Sequence, residues 1–395
     1  MTTDVLLISE ARIATVQLLE RVLAHLARTT DLTTRSRLLD ELRPDDITAQ
    51  TYPLLVRTID PDAYALTRTF RRTGVGYGFY LDDNFWLLDP ATELGRHYAA
   101  PARRRILEAV VRNASTVIAS TPLLQSYLAT RNPNVIQLDS FFDFTLIPRL
   151  PAAPSGRRRL RGGFAASADR VQDLRPVIGD VIGVLDEHDN VEFEFIGVDD
   201  DELPDHPRIR TFPYRTSYRD YIEFQRSRRW DFGLAPLGTA ASNLYKTDNK
   251  FREYAAQGIP GIYEDAPPYA SVRDGATGLL AGTSRTWKDA IHLYVTDSAL
   301  RARVRREARA DAEARSALET VAPQWQRFFE QAPPLTDRQV RQVRAAIRRR
   351  STFVARTARQ IRALTSYGRE QLSETGIGPT AARTTRFLWK KVTGR

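Results

Sequence analysis

Short apolar runs alternate with amphipathic stretches along most of this chain, and that alternation restricts the fold more than any other feature. Asp4-Val5-Leu6-Leu7-Ile8-Ser9 carries four apolar residues in succession, the pattern of a strand buried on both faces. Leu18, Leu19, Val22, Leu23 and Leu26 then recur at helical spacing. Tyr64 to Arg72 reads as a helix, and Gly76 to Leu81 as a strand that ends on Asp82-Asp83-Asn84. A helix over Arg103 to Arg112, a strand over Thr116 to Ala119, a helix over Pro122 to Ala129 and a strand over Val135 to Leu138 follow. Such a series implies βαβ units and a parallel sheet covered on both faces.

Pro148 to Arg159, PRLPAAPSGRRR, has no periodicity and is rich in Pro, Ala and Arg, so it reads as a linker. A second series begins after it. Strands are predicted at Leu160 to Ala166, Val191 to Val198, Ile209 to Phe212 and Asp231 to Leu237. Helices are predicted at Val171 to Leu185 and Tyr218 to Arg226, with more from Trp287 to Glu330. The fold class expected is α/β: two Rossmann-like domains facing a cleft, plus a basic helical C-terminal tail. The boundaries are 1–150, 151–330 and 331–395. Open α/β sheets bind ligands beyond the carboxyl ends of their strands, so the functional residues should gather there.

Composition narrows the chemistry. The 395 residues contain no cysteine, which removes thiolate catalysis, disulfides and cysteine-based metal centres and suits a reducing compartment. The N-terminus, MTTDVLLISEAR, lacks the basic region and long apolar core of a signal peptide. No apolar run approaches the roughly 20 residues of a membrane span. The net charge of +10 is unevenly placed. Thirteen Arg and two Lys against three acids give residues 336–395 a charge of +12, leaving −2 for the rest. Basicity is therefore no argument that the body binds nucleic acid.

Ala241 to Glu264, ASNLYKTDNKFREYAAQGIPGIYE, is the most informative stretch. Its middle reads as a helix that Thr247 or Asp248 can cap, with Gly258 at a left-handed C-terminus and Pro260 stopping it. A helical wheel puts Lys246, Lys250, Glu253 and Gln257 on one stripe and Leu244, Phe251 and Ala255 opposite. Lysines at a helix N-terminus sit against the macrodipole, and free amides point out there. The stretch reads equally as a phosphate site or as a solvated face that tolerates two lysines.

Asp82-Asp83 closes an apolar strand, where two adjacent carboxylates suit a cleft as base, sugar-hydroxyl ligand or metal ligand more than they suit a cap or turn. Asp199-Asp200-Asp201, followed by Glu202-Leu203-Pro204, reads as a solvated loop. Gly74, Gly76 and Gly78 precede a strand, the wrong place for a dinucleotide fingerprint. Gly162-Gly163 lies on a first strand with Ser167 beyond it, and admits either a phosphate or a tight turn. His25 and His292 fall in helices, His188 and His206 in polar loops, and His97 reads as a surface residue after the Asp82-Asp83 loop.

Taken together these segments resemble the GT-B glycosyltransferases, in particular the family 4-like enzymes of bacterial polysaccharide assembly. The likeness covers roughly residues 75–330. It is carried by Asn243-Leu-Tyr-Lys246-Thr-Asp-Asn-Lys250-Phe-Arg-Glu253-Tyr-Ala-Ala-Gln-Gly258-Ile-Pro260, by Gly275-Ala-Thr-Gly278-Leu-Leu280, by Gly163 to Asp173 and by Tyr80-Leu-Asp82-Asp83-Asn84. Where many members carry a first glutamate, this chain has Tyr245, while Glu253 matches the second. Ala266-Pro-Pro-Tyr269 replaces the usual Gly-Gly after the donor strand.

The resemblance implies transfer of a sugar from a nucleotide-sugar to a saccharide or lipid-linked acceptor. It places Asn243, Lys246, Lys250, Glu253 and Gly258 in the donor site. Lys246 and Lys250 are expected on the diphosphate, Glu253 on donor hydroxyls, and Gly162, Gly163 and Ser167 where backbone approaches the donor closely. Asp82 and Asp83 are expected on the acceptor side. Fixed cations and a helix dipole can stabilise a leaving diphosphate, so neither a metal nor another cofactor is expected. The other function classes are a non-catalytic partner in a glycan-assembly complex and a nucleic-acid binder working through the tail. Nucleic acid is not the expected partner. The tail suggests a cytoplasmic protein held peripherally on an anionic membrane: Val340, Val343, Ile347, Val354 and Ile361 follow helical spacing among arginines, and Phe387-Leu388-Trp389-Lys390-Lys391 adds an aromatic–basic patch; the stripe from Val340 to Ile361 equally allows a helix that packs back on the body.

Overall fold

Twelve strands and thirteen helices alternate along the described part of the chain. The computed structural model describes residues 3–154, 156, 158–166 and 170–351. The first half contains β1 (Asp4–Ser9), α1 (Ala14–Thr29), β2 (Thr33–Leu38), β3 (Thr51–Val56), α2 (Pro61–Thr73), β4 (Gly78–Leu81), α3 (Glu93–Ala99), α4 (Pro101–Asn113), β5 (Thr116–Ala119), α5 (Pro122–Ala129) and β6 (Val135–Gln137). The second half contains β7 (Leu160–Ala165), α6 (Val171–Leu174), α7 (Ile178–Glu187), β8 (Val191–Ile196), β9 (Ile209–Phe212), α8 (Tyr218–Arg228), β10 (Phe232–Ala235), α9 (Asn249–Gln257), β11 (Gly261–Glu264), β12 (Leu279–Ala281), α10 (Trp287–Thr296) and α11 (Ser298–Ser316). Helices α12 (Leu318–Glu330) and α13 (Asp337–Ser351) follow.

Each half folds into a six-stranded sheet in which every pairing is parallel. The first runs β2-β1-β3-β4-β5-β6 and the second β12-β11-β10-β7-β8-β9. The strand order of the first reverses between β1 and β3, and that of the second between β7 and β10. Such switch points open the crevices where doubly wound sheets bind ligands. All six residues of β1, β3 and β8 are buried, as expected of central strands with helices on both faces.

Local chemistry explains where the elements depart from the sequence reading. One helix was expected over Val171 to Leu185, but Pro176 interrupts it, and α6 and α7 lie on either side. Strand β3 carries Pro53, which argues against a central strand. It is accommodated because the β3–β4 ladder starts one residue later, at Leu54. Strand β2, TTRSRL, is an edge strand with no apolar run to announce it.

Two cores lie within the halves. Val5, Leu7, Leu19, Leu23, Leu54 and Ile118 pack in the first. Val181, Phe193, Phe195, Leu234, Ile262 and Ile291 pack in the second. Helix α12 crosses back to the first: Leu318, Val321, Trp325 and Phe329 bury there. The sequence boundary at 330 had grouped this helix with the second half; its apolar face shows instead which core it completes.

Leu42–Ala49 and Leu335–Ser351 belong to a separate compact unit. Within it the Leu335 amide donates to Ala49 O at 2.7 Å and Arg344 Nε donates to Ile47 O at 2.8 Å. Val343 and Ile347 are buried. Of the two readings of this stripe, membrane contact and packing on protein, Val343 and Ile347 follow the second, which corrects the membrane expectation for these two residues. Val354, Ile361 and the Phe387–Lys391 patch lie outside the described residues. No described helix is long and apolar enough to cross a membrane.

Candidate functional site

A cavity of about 200 Å³ lies between the two sheets, bounded by the ends of both switch-point regions. Thr15, Leu18, Tyr80, Asp82, Phe141 and Trp325 line it from the first half and α12. Ala166, Arg170, Arg215, Tyr221, Lys250 and Glu253 line it from the second. The halves are joined beside it. Gln17 donates to Thr216 O at 3.1 Å and accepts from the Tyr218 amide at 2.9 Å, and Thr121 Oγ1 donates to Tyr245 O at 3.1 Å.

The cationic wall is built around α9. Gly258 ends this helix in the left-handed conformation, φ 67°, as its sequence position predicted. At the other end Asp248 makes no side-chain cap; its carboxylate pairs with Arg252 at 3.2 Å. The helix therefore starts without a capping side chain, and Thr247, Asn249 and Lys250 at that end line the cavity. Lys250 Nζ lies 3.6 Å from Glu253 Oε2 and 3.4 Å from the Tyr221 hydroxyl, which donates to Glu253 at 3.0 Å. Burial lowers the Lys250 ammonium below the ordinary lysine range, while Glu253 pulls it back up. Arg170 pairs with Asp173 at 2.6 Å.

The acidic wall follows β4. Asp82 and Asp83 are partly buried. Asp82 Oδ2 accepts from Thr15 Oγ1 at 2.5 Å, while its buried Oδ1 has no hydrogen-bond donor. Arg57 lies 3.4 Å from Asp82 and 4.0 Å from Asp83, with its guanidinium over the Phe85 ring. Arg57 has φ 53°, in the left-handed region that non-glycine residues rarely adopt. Burial raises the Asp82 carboxyl; Arg57 opposes this and the neighbouring Asp83 charge adds to it. Burial also acts to raise Asp83, but Lys246 and Arg57 more than offset it and leave Asp83 below the ordinary aspartate range.

The structure thus brings Asp82, Lys250 and Glu253 to the cavity, with Asp83 and Lys246 paired beside it at 3.2 Å. The remaining candidates go elsewhere. Lys246 is not on the helical stripe of Lys250: it closes a 3-10 turn over Ala241–Tyr245 in extended conformation, three residues before α9 starts. In the same turn Leu244, expected to pack, is 47 % exposed. Asn243 is buried behind the wall, where its Nδ2 donates to Asp173 and to Gly238 O, each at 2.9 Å; it latches loops together rather than facing the cavity.

Gly162 and Gly163 lie within β7, not in a phosphate loop. A Cβ on Gly162 would come within 2.5 Å of the Phe193 ring, and one on Gly163 within 2.0 Å of Trp230. Their small size makes room for aromatic rings on the sheet faces. Gly258 sits about 12 Å along α9 from Lys250, and its carbonyl accepts from Arg305 at 2.7 Å. Ser167 lies outside the described residues. Asp199 and Asp201 are exposed, in line with a solvated loop. His97, read as a surface residue, is partly buried near Arg103; burial first, and then that guanidinium, hold its imidazole down to about 4.

Sequence reasoning missed Thr15, Arg57, Arg170, Tyr221 and Arg252. Arg57 directly follows β3, so the strand-end rule that flagged Asp82 would have flagged it had β3 been recognised. Arg252, 1 % exposed, reaches Thr247 Oγ1 at 3.3 Å and Phe141 O at 3.5 Å, contacts that no periodicity announces.

Comparison with known proteins sharpens the fold. No protein-family model and no curated protein matches the chain. Solved structures do. One is HepE of Anabaena in complex with UDP and glucose, at 14 % identity and a TM-score of 0.58, covering 83 % of this chain and 99 % of that one. A second is sucrose-phosphate synthase from Thermosynechococcus elongatus, at 13 % identity and a TM-score of 0.57, covering 83 % and 98 %. A third is a glycosyltransferase from Rickettsia africae, at 8 % identity and a TM-score of 0.54, covering 84 % and 98 %. The architecture of this chain is that of the GT-B glycosyltransferases.

Proposed function

We propose that the cleft of this GT-B fold transfers a sugar from a nucleotide-sugar to a saccharide or lipid-linked acceptor without a metal ion. The observation that carries the reading is the opposition of two walls at the two switch points. The uncapped start of α9, with Lys250 and Arg170, faces a carboxylate, Asp82, whose Oδ1 accepts no hydrogen bond. Fold alone would not carry an activity. The charges suit one: a diphosphate against the cationic wall and a hydroxyl against the acidic wall.

In this reading Lys250, Arg170 and the α9 amides hold the donor diphosphate, and Glu253 accepts hydrogen bonds from donor hydroxyls. Tyr221 and Lys250 fix the Glu253 carboxylate. The acceptor oxygen bonds to the anomeric carbon as the bond to the diphosphate breaks. Negative charge then develops against pre-set cations and a helix dipole. Asp82 accepts the hydrogen bond of the attacking hydroxyl and takes up its proton, a role that a carboxyl raised by burial suits. Asp83, held ionised by Lys246 and Arg57, keeps a fixed negative charge beside it.

The test is release of nucleotide from a panel of nucleotide-sugars incubated with saccharide and lipid-linked acceptors, with and without EDTA. Release that survives EDTA and depends on an acceptor is expected. Donor binding with no turnover would turn the reading into that of a non-catalytic partner, and failure to bind any nucleotide would overturn it.

A further inference from the structure

At the edge of the second sheet, opposite the cleft, two imidazoles and a carboxylate converge. Glu187 ends α7, His188 follows it, and His292 lies on α10. Their ligating atoms all lie within 4.8 Å of one another, the one such group of three among the described residues. His188 Nε2 lies 3.0 Å from His292 Nδ1. His188 lies just before the amino end of β8, with His292 in the second half of α10 beside it, so the group lies away from the carboxyl ends where the cavity lies. We propose that Glu187, His188 and His292 bind one divalent transition-metal ion, zinc by the chemistry of the donors, as a clamp between α7 and α10.

Three observations support a built site rather than a chance meeting of side chains. The first is ligand type. Two neutral imidazoles and a carboxylate suit zinc, whereas an all-oxygen set would suit magnesium or calcium. The second is spacing. Two nitrogens each about 2.0–2.1 Å from a tetrahedral ion stand about 3.3 Å apart, so a few tenths of an ångström of opening from 3.0 Å is enough. The third is the rigidity of the supports. Val184, Leu185, Ile291 and Tyr294, which flank the site on the two helices, are buried in one core. Arg208 Nη1 donates to His188 O at 2.6 Å, and the Lys288 amide of α10 donates to Asp180 of α7 at 3.2 Å. Imidazoles on elements held in this way lose little freedom when they bind an ion. The fourth position faces solvent and takes water, since Glu187 and His292 are exposed.

One contact opposes the metal. Lys288, one turn before His292, holds Glu187 at 2.5 Å. That ammonium must give up one carboxylate oxygen, so it weakens the site and offers a control. The experiment uses tag-free, full-length, EDTA-stripped protein titrated with zinc chloride by calorimetry, with thermal melts alongside and magnesium chloride as the comparison ion. One zinc per chain and a higher melting temperature are expected, with no effect of magnesium. Changing an outer-shell partner of a metal ligand commonly costs about tenfold in affinity, so His188→Ala and His292→Ala, which remove direct ligands, should cost at least that and abolish the melting shift. Lys288→Met should tighten binding. Absence of saturable zinc binding, wild-type zinc affinity in either histidine variant, or an equal response to magnesium would overturn the site. Unchanged or weaker binding in Lys288→Met would overturn Glu187 as the third ligand.

Discussion

The two sheets have the same number of strands and the same parallel pairing, yet they treat their switch points differently. Beside the first, carboxylates stand against an internal guanidinium. Arg57, left-handed and largely buried, lies 3.4 Å from Asp82 and 4.0 Å from Asp83. At the second, a carboxylate joins the loops that follow β7 and β10. Asp173 holds them together by accepting from Arg170, the Gly238 amide and Asn243. The start of α9 lines the cavity. One wall therefore presents carboxylates held by a guanidinium, and the other presents cations held by carboxylates. A shared architecture gives two surfaces of opposite character because different residues stand beside equivalent switch points.

The first way to break this comparison is on the acidic wall. Asp82→Asn keeps the shape and removes the proton acceptor. A general base contributes about a hundredfold or more to rate, so turnover should fall by that amount with donor affinity unchanged, read by kcat and by donor titration. An unchanged kcat would leave Asp82 a structural partner of Thr15 and Arg57. On the cationic wall Lys250→Ala removes a charge-assisted bond worth about 1.5–3 kcal/mol. Transfer should therefore fall about ten- to a hundredfold, with the loss appearing in donor affinity. Lys246→Ala should differ from it: its partner is Asp83, so the loss should appear on the acceptor side.

A third prediction concerns pH. Burial raises the folded-state Asp82 carboxyl, and Arg57 limits the rise. A group raised in the folded state holds its proton more tightly there than in the unfolded chain. Its stabilising contribution is present at low pH and is lost as pH rises through the folded value. Arg57→Met removes the limiting charge, so Asp82 should rise further. The acid limb of the kcat profile should then move to higher pH, which mere loosening of the fold would not produce. The smallest effect on transfer is expected from Gly163→Ala. Its Cβ meets Trp230, so overpacking should cost about 1–3 kcal/mol of stability in a denaturant titration, while donor affinity stays at the wild-type value. A fall in donor affinity at unchanged stability would return Gly163 to the phosphate.

The sequence by itself determined the two alternating series and most of their elements, because apolar periodicity and Gly or Pro punctuation are local properties. Thr116–Ala119, Pro122–Ala129 and Ile209–Phe212 fell at their observed limits. It also set Asp82 at a strand end, and Lys250, Glu253 and the left-handed Gly258 along one helix, since strand ends and helix ends are written in adjacent residues. Only the tertiary structure decided what these residues meet. Gly162 and Gly163 yield to rings brought from Phe193 and Trp230, Asn243 turns to Asp173, and Lys246 leaves the helix to pair with Asp83. Arg57 was hidden twice: its strand carries a proline, and its backbone angle departs from what its residue type favours. Those outcomes depend on side chains distant in the chain competing for one space and for one charge, and no window of neighbouring residues contains that competition.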